Sequence, residues 1–166
     1  MFKEINPVEL NFNPFSAIGR QWMLVTAGDD KAANTMTASW GGAGVLWNKN
    51  VVTCYIRPQR YTREFMDAQE YFSLSFLPEQ YRKELTYCGR VSGRDTDKIA
   101  QSGLTLCNEF EAPCIEQADT VLICKKLYVD KIRPTSILNS EIDAANYPDK
   151  DYHIVYIAEI VKALTK

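Results

Sequence analysis

NTMTASWGGAG, at residues Asn34–Gly44, is the most informative stretch of the chain. Hydroxyl side chains occupy every second position, at Thr35, Thr37 and Ser39, with apolar side chains between them. Because successive side chains of an extended strand point to opposite faces, one face is predicted to carry a row of hydroxyls and the other to be apolar. The run ends in Gly-Gly-Ala-Gly, where the backbone can adopt unusual angles and lie close to another group. The pattern favours a flat ligand with polar edges.

The composition is that of an ordinary globular protein, with 46% hydrophobic and 24% charged residues among 166. This length fits one domain, which we expect to span residues 1–166 and to have a real hydrophobic core. The net charge of −2 and the lack of a long basic run make nucleic acid a poor partner. We expect no secretory signal and no membrane span, because no apolar run of the required length occurs.

Cysteine and histidine usage limits the chemistry further. An odd, dispersed set of cysteines without a CxxC pair argues against a disulfide framework or a zinc knuckle and fits a reducing cytoplasm. The cysteines are Cys54, Cys88, Cys107, Cys114 and Cys124. The single histidine, His153, rules out a multi-histidine metal site within one chain, so we expect no metal centre. Any Ser-His-Asp or Cys-His arrangement would have to include His153.

Alternation and turn residues predict many short strands with little room for crossover helices, which favours an antiparallel barrel or sandwich with peripheral helices. The predicted strands are Arg20–Ala27, Asn34–Trp40, Val51–Arg57, Tyr71–Leu77, Leu104–Cys107, Thr120–Ile132 and Tyr152–Val161. The predicted helices are Thr62–Ala68, Gln80–Tyr87 and Asp95–Ser102, with weak helical character between Ser136 and Lys150. Thr62 and Asp95 are the expected N-caps of their helices.

A second cluster, YIRPQRYT at residues Tyr55–Thr62, has a strand stopped by proline, two arginines and a predicted helix start. A helix N-terminus offers free amide hydrogens, and two guanidinium groups beside it make a seat for a phosphate. The equally weighted alternative is that Arg57 and Arg60 form surface ion pairs.

A third cluster, SGRDTDK at residues Ser92–Lys98, also places glycine, basic residues and a predicted helix start together. This segment could present backbone amides and Lys98 to an anion. The favoured interpretation is that Asp95 simply caps the helix and that Lys98 is solvated. The chain has no GxxxxGK[ST] loop and no GxGxxG, which removes the usual nucleoside triphosphate and dinucleotide signatures. For His153, a packed and hydrogen-bonded strand residue is favoured over a catalyst. Aromatic rings near these clusters could stack on a planar cofactor.

Taken in order, NTMTASWGG, CYIRPQRYT, SGRDTDK and a last strand with a histidine resemble the flavin reductase-like, FMN-binding split-barrel proteins, most closely the flavoredoxin branch. The resemblance covers about residues 22–161. It implies a mainly β fold, a six-stranded antiparallel Greek-key barrel, split on one side, with short peripheral helices. It also implies a homodimer with FMN at or near the dimer interface.

The same resemblance implies cofactor contacts in three segments. The first strand would contact the flavin edge and ribityl chain, the second segment the ribityl and phosphate side, and the third the phosphate end. The implied residues are Met36, Thr37, Ala38, Ser39, Trp40, Tyr55, Arg57, Arg60, Tyr61, Thr62, Ser92, Gly93 and Lys98. A Gly-Asp-His segment that often precedes the last strand in flavin-reducing members reads Asp151-Tyr152-His153 here, which weakens a catalytic role for His153.

Three functions follow as hypotheses. The first is an FMN-containing oxidoreductase that takes electrons from NADH or NADPH and passes them to free flavin or another acceptor. The second is a flavoredoxin-like electron-transfer protein that exchanges electrons with a redox partner protein, without its own nicotinamide turnover. The third is a non-enzymatic ligand-binding or structural barrel. In the first two the flavin carries the redox chemistry and the protein binds and orients it, so no catalytic triad is required.

Overall fold

Antiparallel β-structure dominates the computed structural model, which describes residues 1–166. The strands are β1 Lys3–Ile5, β2 Met23–Gly28, β3 Ala33–Ala38, β4 Gly41–Leu46, β5 Lys49–Ile56, β6 Tyr71–Phe76, β7 Leu106–Cys107, β8 Cys114–Ile115, β9 Thr120–Lys131 and β10 Ile154–Thr165. The α-helices are α1 Pro14–Ser16, α2 Thr62–Ala68, α3 Arg82–Arg90, α4 Lys98–Gln101 and α5 Ser140–Asn146. No helix combines the length and the apolar character that a membrane crossing requires.

The main sheet has eight strands in the order β3-β2-β6-β9-β10-β5-β4, with β1 paired to β10. Its end strands β3 and β4 are not hydrogen-bonded to each other, which leaves the sheet split at that side. The predicted mainly β antiparallel split barrel is confirmed. The six long predicted strands are present as β2, β3, β5, β6, β9 and β10, and β1 and β4 raise the count to eight.

Strand β4 was missed because its sequence begins Gly-Gly-Ala-Gly, which we interpreted as a flexible end. The segment instead pairs in regular register with β5, from Gly41 opposite Cys54 to Leu46 opposite Lys49. A β-carbon on Gly41 would lie 2.7 Å from the carbonyl oxygen of Thr53, so the close approach of β4 to β5 requires glycine there. The predicted strand Leu104–Cys107 is reduced to β7, which pairs only with β8 in a separate ribbon.

The central strands are buried on both faces, as β2 illustrates. Met23 and Val25 pack into one core cluster, inside the curved sheet, with Phe72 and Tyr156. Leu24, between them, packs into a second cluster with residues of α3 and of the β7–β8 ribbon. Because alternate side chains of one strand enter different clusters, every residue of β2 is buried and Thr26 is its only polar side chain.

Two predicted helix caps are corrected by the structure. Helix α2 has the predicted bounds, but Tyr61 occupies the N-cap position, no side chain caps it, and Thr62 is already the first helical residue. Helix α4 begins at Lys98, not Asp95, because the Asp97 carboxylate accepts a hydrogen bond from the amide of Ala100 at 3.1 Å.

The remaining helical segments differ from their predictions at the ends. Helix α3 follows a 3-10 turn at Glu79–Tyr81, so it begins and ends later than predicted. Helix α5 is the only α-helix in the weakly helical region before β10. The π-helical turn Ala17–Gln21, which continues α1, was not predicted.

Candidate functional site

Nine of the fourteen predicted site residues line one cavity of about 220 Å³, which we call the polar cavity. These residues are Met36, Thr37, Ala38, Ser39, Trp40, Tyr55, Arg57, Arg60 and His153. They come from the end of β3, the end of β5, the turn before α2 and the segment before β10. The pairing of β5 with β10 and the hairpin through Ser39 and Trp40 bring these distant segments to the split side of the sheet.

The predicted row of free hydroxyls on β3 is wrong for two of its three members. Thr35 is fully buried, and its hydroxyl lies 2.8 Å from that of Thr26. The Thr37 hydroxyl lines the cavity but donates to the carbonyl of Leu85 in α3 at 2.5 Å. Ser39, beyond the end of the strand, is the member whose hydroxyl has no protein partner and can bond a ligand.

Arg57 is neutralised within the protein. Its guanidinium donates to the Asp151 carboxylate at 2.6 Å and to the Asn146 carbonyl at 2.9 Å. It also lies over the ring of Tyr147, 5.4 Å from the ring centroid. Hydrogen bonds from Gln59 and then from Arg57 hold the pKa of Asp151 below its usual value, against the opposing effect of burial. The ion-pair alternative is therefore the observed one for Arg57.

Arg60 has no carboxylate partner. Its guanidinium donates to the carbonyl of Gly89 at 2.7 Å, and the carbonyl of Cys88 lies 3.4 Å away. Both carbonyls belong to the last turn of α3, where the helix dipole is negative and favours cations. Arg60 therefore brings a positive charge to the cavity wall that no acidic side chain cancels within salt-bridge distance.

Lys98 lies behind Arg60 and does not line the cavity. Its side chain is buried, and its ammonium donates to the carbonyls of Cys88 at 2.9 Å and Val91 at 3.1 Å. Burial, and secondarily the charge of Arg60, lowers the pKa of Lys98 to about 8. The prediction that Lys98 contacts a phosphate directly is therefore corrected, because its ammonium instead donates hydrogen bonds to carbonyls at the end of α3.

Four other predicted residues also lie outside the cavity lining. Thr62 is buried and its hydroxyl accepts a hydrogen bond from the Asn34 amide at 2.7 Å. A β-carbon on Gly93 would lie 2.0 Å from the Asn34 side-chain oxygen, so Gly93 packs tightly on that pair. The Ser92 hydroxyl accepts a hydrogen bond from the backbone amide of Arg94, and the guanidinium of Arg94 lies over the ring of Tyr61. These residues build the support behind the cavity.

His153 is held in a neutral state. Its Nδ1 lies 2.9 Å from the Tyr147 hydroxyl, and its ring lies 5.1 Å from that of Trp40. Burial, and secondarily the charge of Arg57, lowers the pKa of His153 to about 4. With Nδ1 engaged, only Nε2 remains for a ligand. Tyr147 is a site residue that the sequence reasoning missed, and its signal was that it is the one aromatic residue between Ser136 and Lys150.

The lowered pKa of His153 predicts a loss of stability in mild acid. An unfolded histidine binds a proton below about pH 6.5, whereas the folded one remains neutral down to about pH 4. Stability should therefore fall as the pH drops from 6.5 to 4, by at most about 3 kcal/mol. Urea unfolding of the protein and of His153→Gln at several pH values measures this. The difference between them isolates His153 from the carboxylates, and parallel pH profiles would contradict the prediction.

A second cavity of about 460 Å³, the apolar cavity, adjoins the polar cavity. The two share Ser39, Trp40 and Tyr55. The rest of the wall is largely apolar or glycine backbone, with no charged side chain. Other members of the wall are Phe15, Ile18, Gly41, Gly42, Ala43, Ile132 and Tyr147. Together the cavities offer a guanidinium without a carboxylate partner at one end and a largely apolar wall with aromatic rings at the other.

The family model of the flavin reductase like domain matches residues 15–165. The chain belongs to the flavin reductase like domain family. The matched range contains every residue of the polar cavity and all but Pro14 of the apolar cavity. The resemblance inferred from the motifs is therefore confirmed.

Solved structures show the same fold over most of the chain. One is an FMN-binding domain of a flavin reductase-like enzyme from Shewanella baltica, 17% identical with a TM-score of 0.71, covering 99% of this chain and 77% of that chain. Flavoredoxin from Methanosarcina acetivorans is 22% identical with a TM-score of 0.67, covering 88% and 68%. An NADH:FAD oxidoreductase of Streptomyces globisporus is 18% identical with a TM-score of 0.65, covering 88% and 74%. No curated protein sequence matches this member of the family significantly.

Proposed function

We propose that this chain binds FMN in the two joined cavities and acts as an oxidoreductase, with a reduced nicotinamide as donor and free flavin or another compound as acceptor. The observation that carries the proposal is the position of Arg60. Its guanidinium lines the polar cavity without a carboxylate partner, and the adjoining apolar cavity has aromatic side chains in its wall. The phosphate of FMN needs a positively charged group, and the isoalloxazine ring needs an aromatic surface. The FMN-binding domain from Shewanella baltica, similar in fold, supports the choice of FMN.

The residues of the cavities have separate roles under this proposal. Arg60 binds the phosphate through its guanidinium. The Ser39 hydroxyl bonds the polar edge of the ligand, while Trp40 and Tyr55 exclude water from the ring. His153 remains neutral at pH 7 and bonds through Nε2 without adding charge. Bound FMN would supply the redox chemistry by taking up two electrons and releasing them to an acceptor.

The spectrum of the purified protein tests this proposal. A yellow preparation, or one that binds added FMN stoichiometrically, supports the cofactor assignment. The FMN-loaded protein is then mixed with NADH or NADPH, and the reduced-nicotinamide absorbance is followed with free flavin or a quinone as acceptor. Consumption with one nicotinamide supports the oxidoreductase. No consumption with any acceptor would exclude it, while leaving FMN binding standing.

A flavoredoxin-like electron carrier is the second candidate, supported by the structural similarity to the Methanosarcina acetivorans flavoredoxin. Asp151 is bonded to Arg57 and Gln59, and Nδ1 of His153 to Tyr147, so among these polar groups only Nε2 of His153 is left without a partner in the protein. Under this candidate, a low-potential protein donor reduces the bound FMN and nicotinamide does not. Rapid reduction by nicotinamide alone would contradict it.

We also propose that the chain is a homodimer. Exposed apolar side chains cluster on the β4–β5 hairpin at Val45, Leu46 and Trp47. Trp47 and Asn48 have φ values of 53° and 55°, the left-handed turn geometry that Asn-Gly adopts without strain. A bulky exposed tryptophan at that position is better explained by a contact with a second copy than by the turn. The dispersed free cysteines support a further proposal, a cytoplasmic location.

Replacing Trp47 by asparagine should separate the role of this residue in dimerisation from its role in the turn. Asparagine tolerates positive φ, so the stability of the monomer should be retained. Loss of a buried aromatic anchor should weaken dimerisation about tenfold or more. Sedimentation measurements on the protein and on Trp47→Asn test this, with Leu138→Asn, a fully exposed apolar residue elsewhere, as the control. Equal association of all three proteins would argue against this interface.

A further inference from the structure

Two cysteines face each other across the β7–β8 ribbon, away from both site cavities. The register pairs Cys107 with Cys114, and both are free thiols. Side chains of directly opposite strand residues lie on the same face, with β-carbons about 4.5–5.5 Å apart. The dispersed spacing of the five cysteines gave no sign of this pair, because only the hairpin brings the two together.

The ladder pattern fixes the backbone separation of the pair. Glu116 donates its amide hydrogen to the carbonyl of Thr105, the residue directly opposite, at 2.9 Å. Hydrogen-bonded and non-bonded pairs alternate along an antiparallel ladder, so Cys107 and Cys114, two steps away, form a hydrogen-bonded pair. Such pairs have α-carbons about 5.5 Å apart, which is within the range seen in disulfides, but their β-carbons lie at the wide end of the range of about 4.5–5.5 Å, so closing the bond also draws the two strands about 1 Å closer.

The ribbon is anchored to the main sheet. The Ser73 hydroxyl donates to the carbonyl of Pro113 at 2.6 Å, and the amide of Ile115 donates to the Ser75 hydroxyl at 3.2 Å. Both anchors flank Cys114 on β8. This strand is therefore fixed, and the small approach that a bond to Cys107 requires falls on β7, which pairs with no strand other than β8.

The two thiols differ in access. Cys107 lines a cavity of about 370 Å³ that is walled in part by Phe2 and Phe110, whereas Cys114 has no exposed surface. Burial, and secondarily the charge of an ionised Cys107, raises the pKa of Cys114. A small molecule therefore reaches Cys107 first, and Cys114, directly opposite, is placed to attack the Cys107 sulfur once a mixed disulfide has formed there.

We propose that Cys107 and Cys114 are a reversible redox site that exchanges with a small-molecule disulfide of the glutathione class. The Cys107 thiolate attacks one sulfur of the external disulfide and releases one thiol, leaving a mixed disulfide. The Cys114 sulfur then attacks the Cys107 sulfur, loses its proton and releases the second thiol. Two protein thiols are oxidised to one disulfide, and one external disulfide is reduced to two thiols. Excess reduced thiol reverses both steps.

The bond would close the loop of residues 108–113. Within that loop, Phe110 packs against Phe2, and Glu111 pairs with Lys162 at 2.5 Å. The loop residues line neither the polar nor the apolar cavity. Oxidation is therefore expected to leave FMN affinity unchanged, which keeps this inference independent of the proposed function.

Thiol counting on the full-length protein tests the site. The protein is incubated with oxidised glutathione, denatured and alkylated, and its intact mass is measured. We expect alkylation of three of the five cysteines after oxidation and of all five after treatment with excess reduced glutathione. Digestion after Lys98, Glu109, Glu111 and Glu116 separates Cys107 from Cys114, so the two peptides should remain joined only through the disulfide.

Variants identify the partners. Cys114→Ala should accumulate a mixed disulfide with glutathione on Cys107, and Cys107→Ala should show no glutathione-dependent loss of thiols. Cys88→Ala, another buried cysteine, should still lose two thiols. Urea unfolding confirms that each variant is folded. Alkylation of all five cysteines after oxidation, or the loss of two thiols in folded Cys107→Ala, would overturn the proposal.

Discussion

Replacing Arg60 by alanine is expected to weaken FMN binding about 10- to 100-fold. Arg60 is the guanidinium in the polar cavity that no carboxylate neutralises, and hydrogen bonds to charged groups contribute about 1.5–3 kcal/mol. Each 1.4 kcal/mol corresponds to about a tenfold change in the dissociation constant. Titration of apoprotein with FMN, followed by quenching of flavin fluorescence, gives the constants for both proteins.

Riboflavin distinguishes a phosphate contact from a general effect of the substitution. Riboflavin lacks the phosphate, so its affinity should be nearly the same in the protein and in Arg60→Ala. Arg63→Ala is the matched control, because Arg63 is a nearby arginine that pairs on the surface with Asp67 at 3.1 Å. Equal weakening of FMN and riboflavin would show that Arg60 acts on the ring or on folding. Unchanged FMN affinity would remove the phosphate assignment.

Replacing Gly28 by alanine is expected to destabilise the fold by about 3 kcal/mol or more, given the cost of overpacking and of a strained φ. Gly28 has a φ of 145°, a conformation that side chains rarely adopt. A β-carbon there would lie 2.3 Å from the carbonyl oxygen of Ala32 and 2.4 Å from the α-carbon of Ala33. These neighbours are backbone atoms of the β2–β3 hairpin and cannot rotate away.

Gly44→Ala is the control for that substitution. Gly44 lies in the exposed part of β4, and a β-carbon on it would have no atom within 4 Å. Its effect should stay within about 0.5 kcal/mol. The free energy of unfolding in urea compares the three proteins. Similar unfolding midpoints for Gly28→Ala and Gly44→Ala would contradict the expectation.

The strands and the cavity wall were largely predictable because both depend on local patterns. Alternation and proline stops located the six long strands, and nine predicted site residues line one cavity. The functions of Thr37 and Lys98 were not predictable, since each side chain bonds a carbonyl of α3. A sequence does not show which helix carbonyls accept a hydrogen bond from a side chain, or which distant side chain donates it.

The support behind the cavity was missed for the same physical reason. Asn34 and Thr62 are 28 positions apart, yet their side chains bond each other in the interior. In the sequence, each of these polar residues taken alone is typical of the protein surface or of a ligand site. Only the packing of α2 against β3 shows that the pair satisfies itself and is unavailable to a phosphate.

The central place of β10 in the sheet has a consequence for how the chain assembles. Strand β10 lies between β9 and β5, so without it the sheet divides into a four-stranded part, β3-β2-β6-β9, and the isolated β4–β5 hairpin. Arg57 and Arg60 follow β5, whereas Met36 to Ala38 belong to β3 in the other part. During synthesis, the β4–β5 hairpin therefore cannot pair with the rest of the sheet until β10 has left the ribosome. A nascent chain halted before β10 would expose the edges of β9 and β5 that β10 covers in the complete sheet.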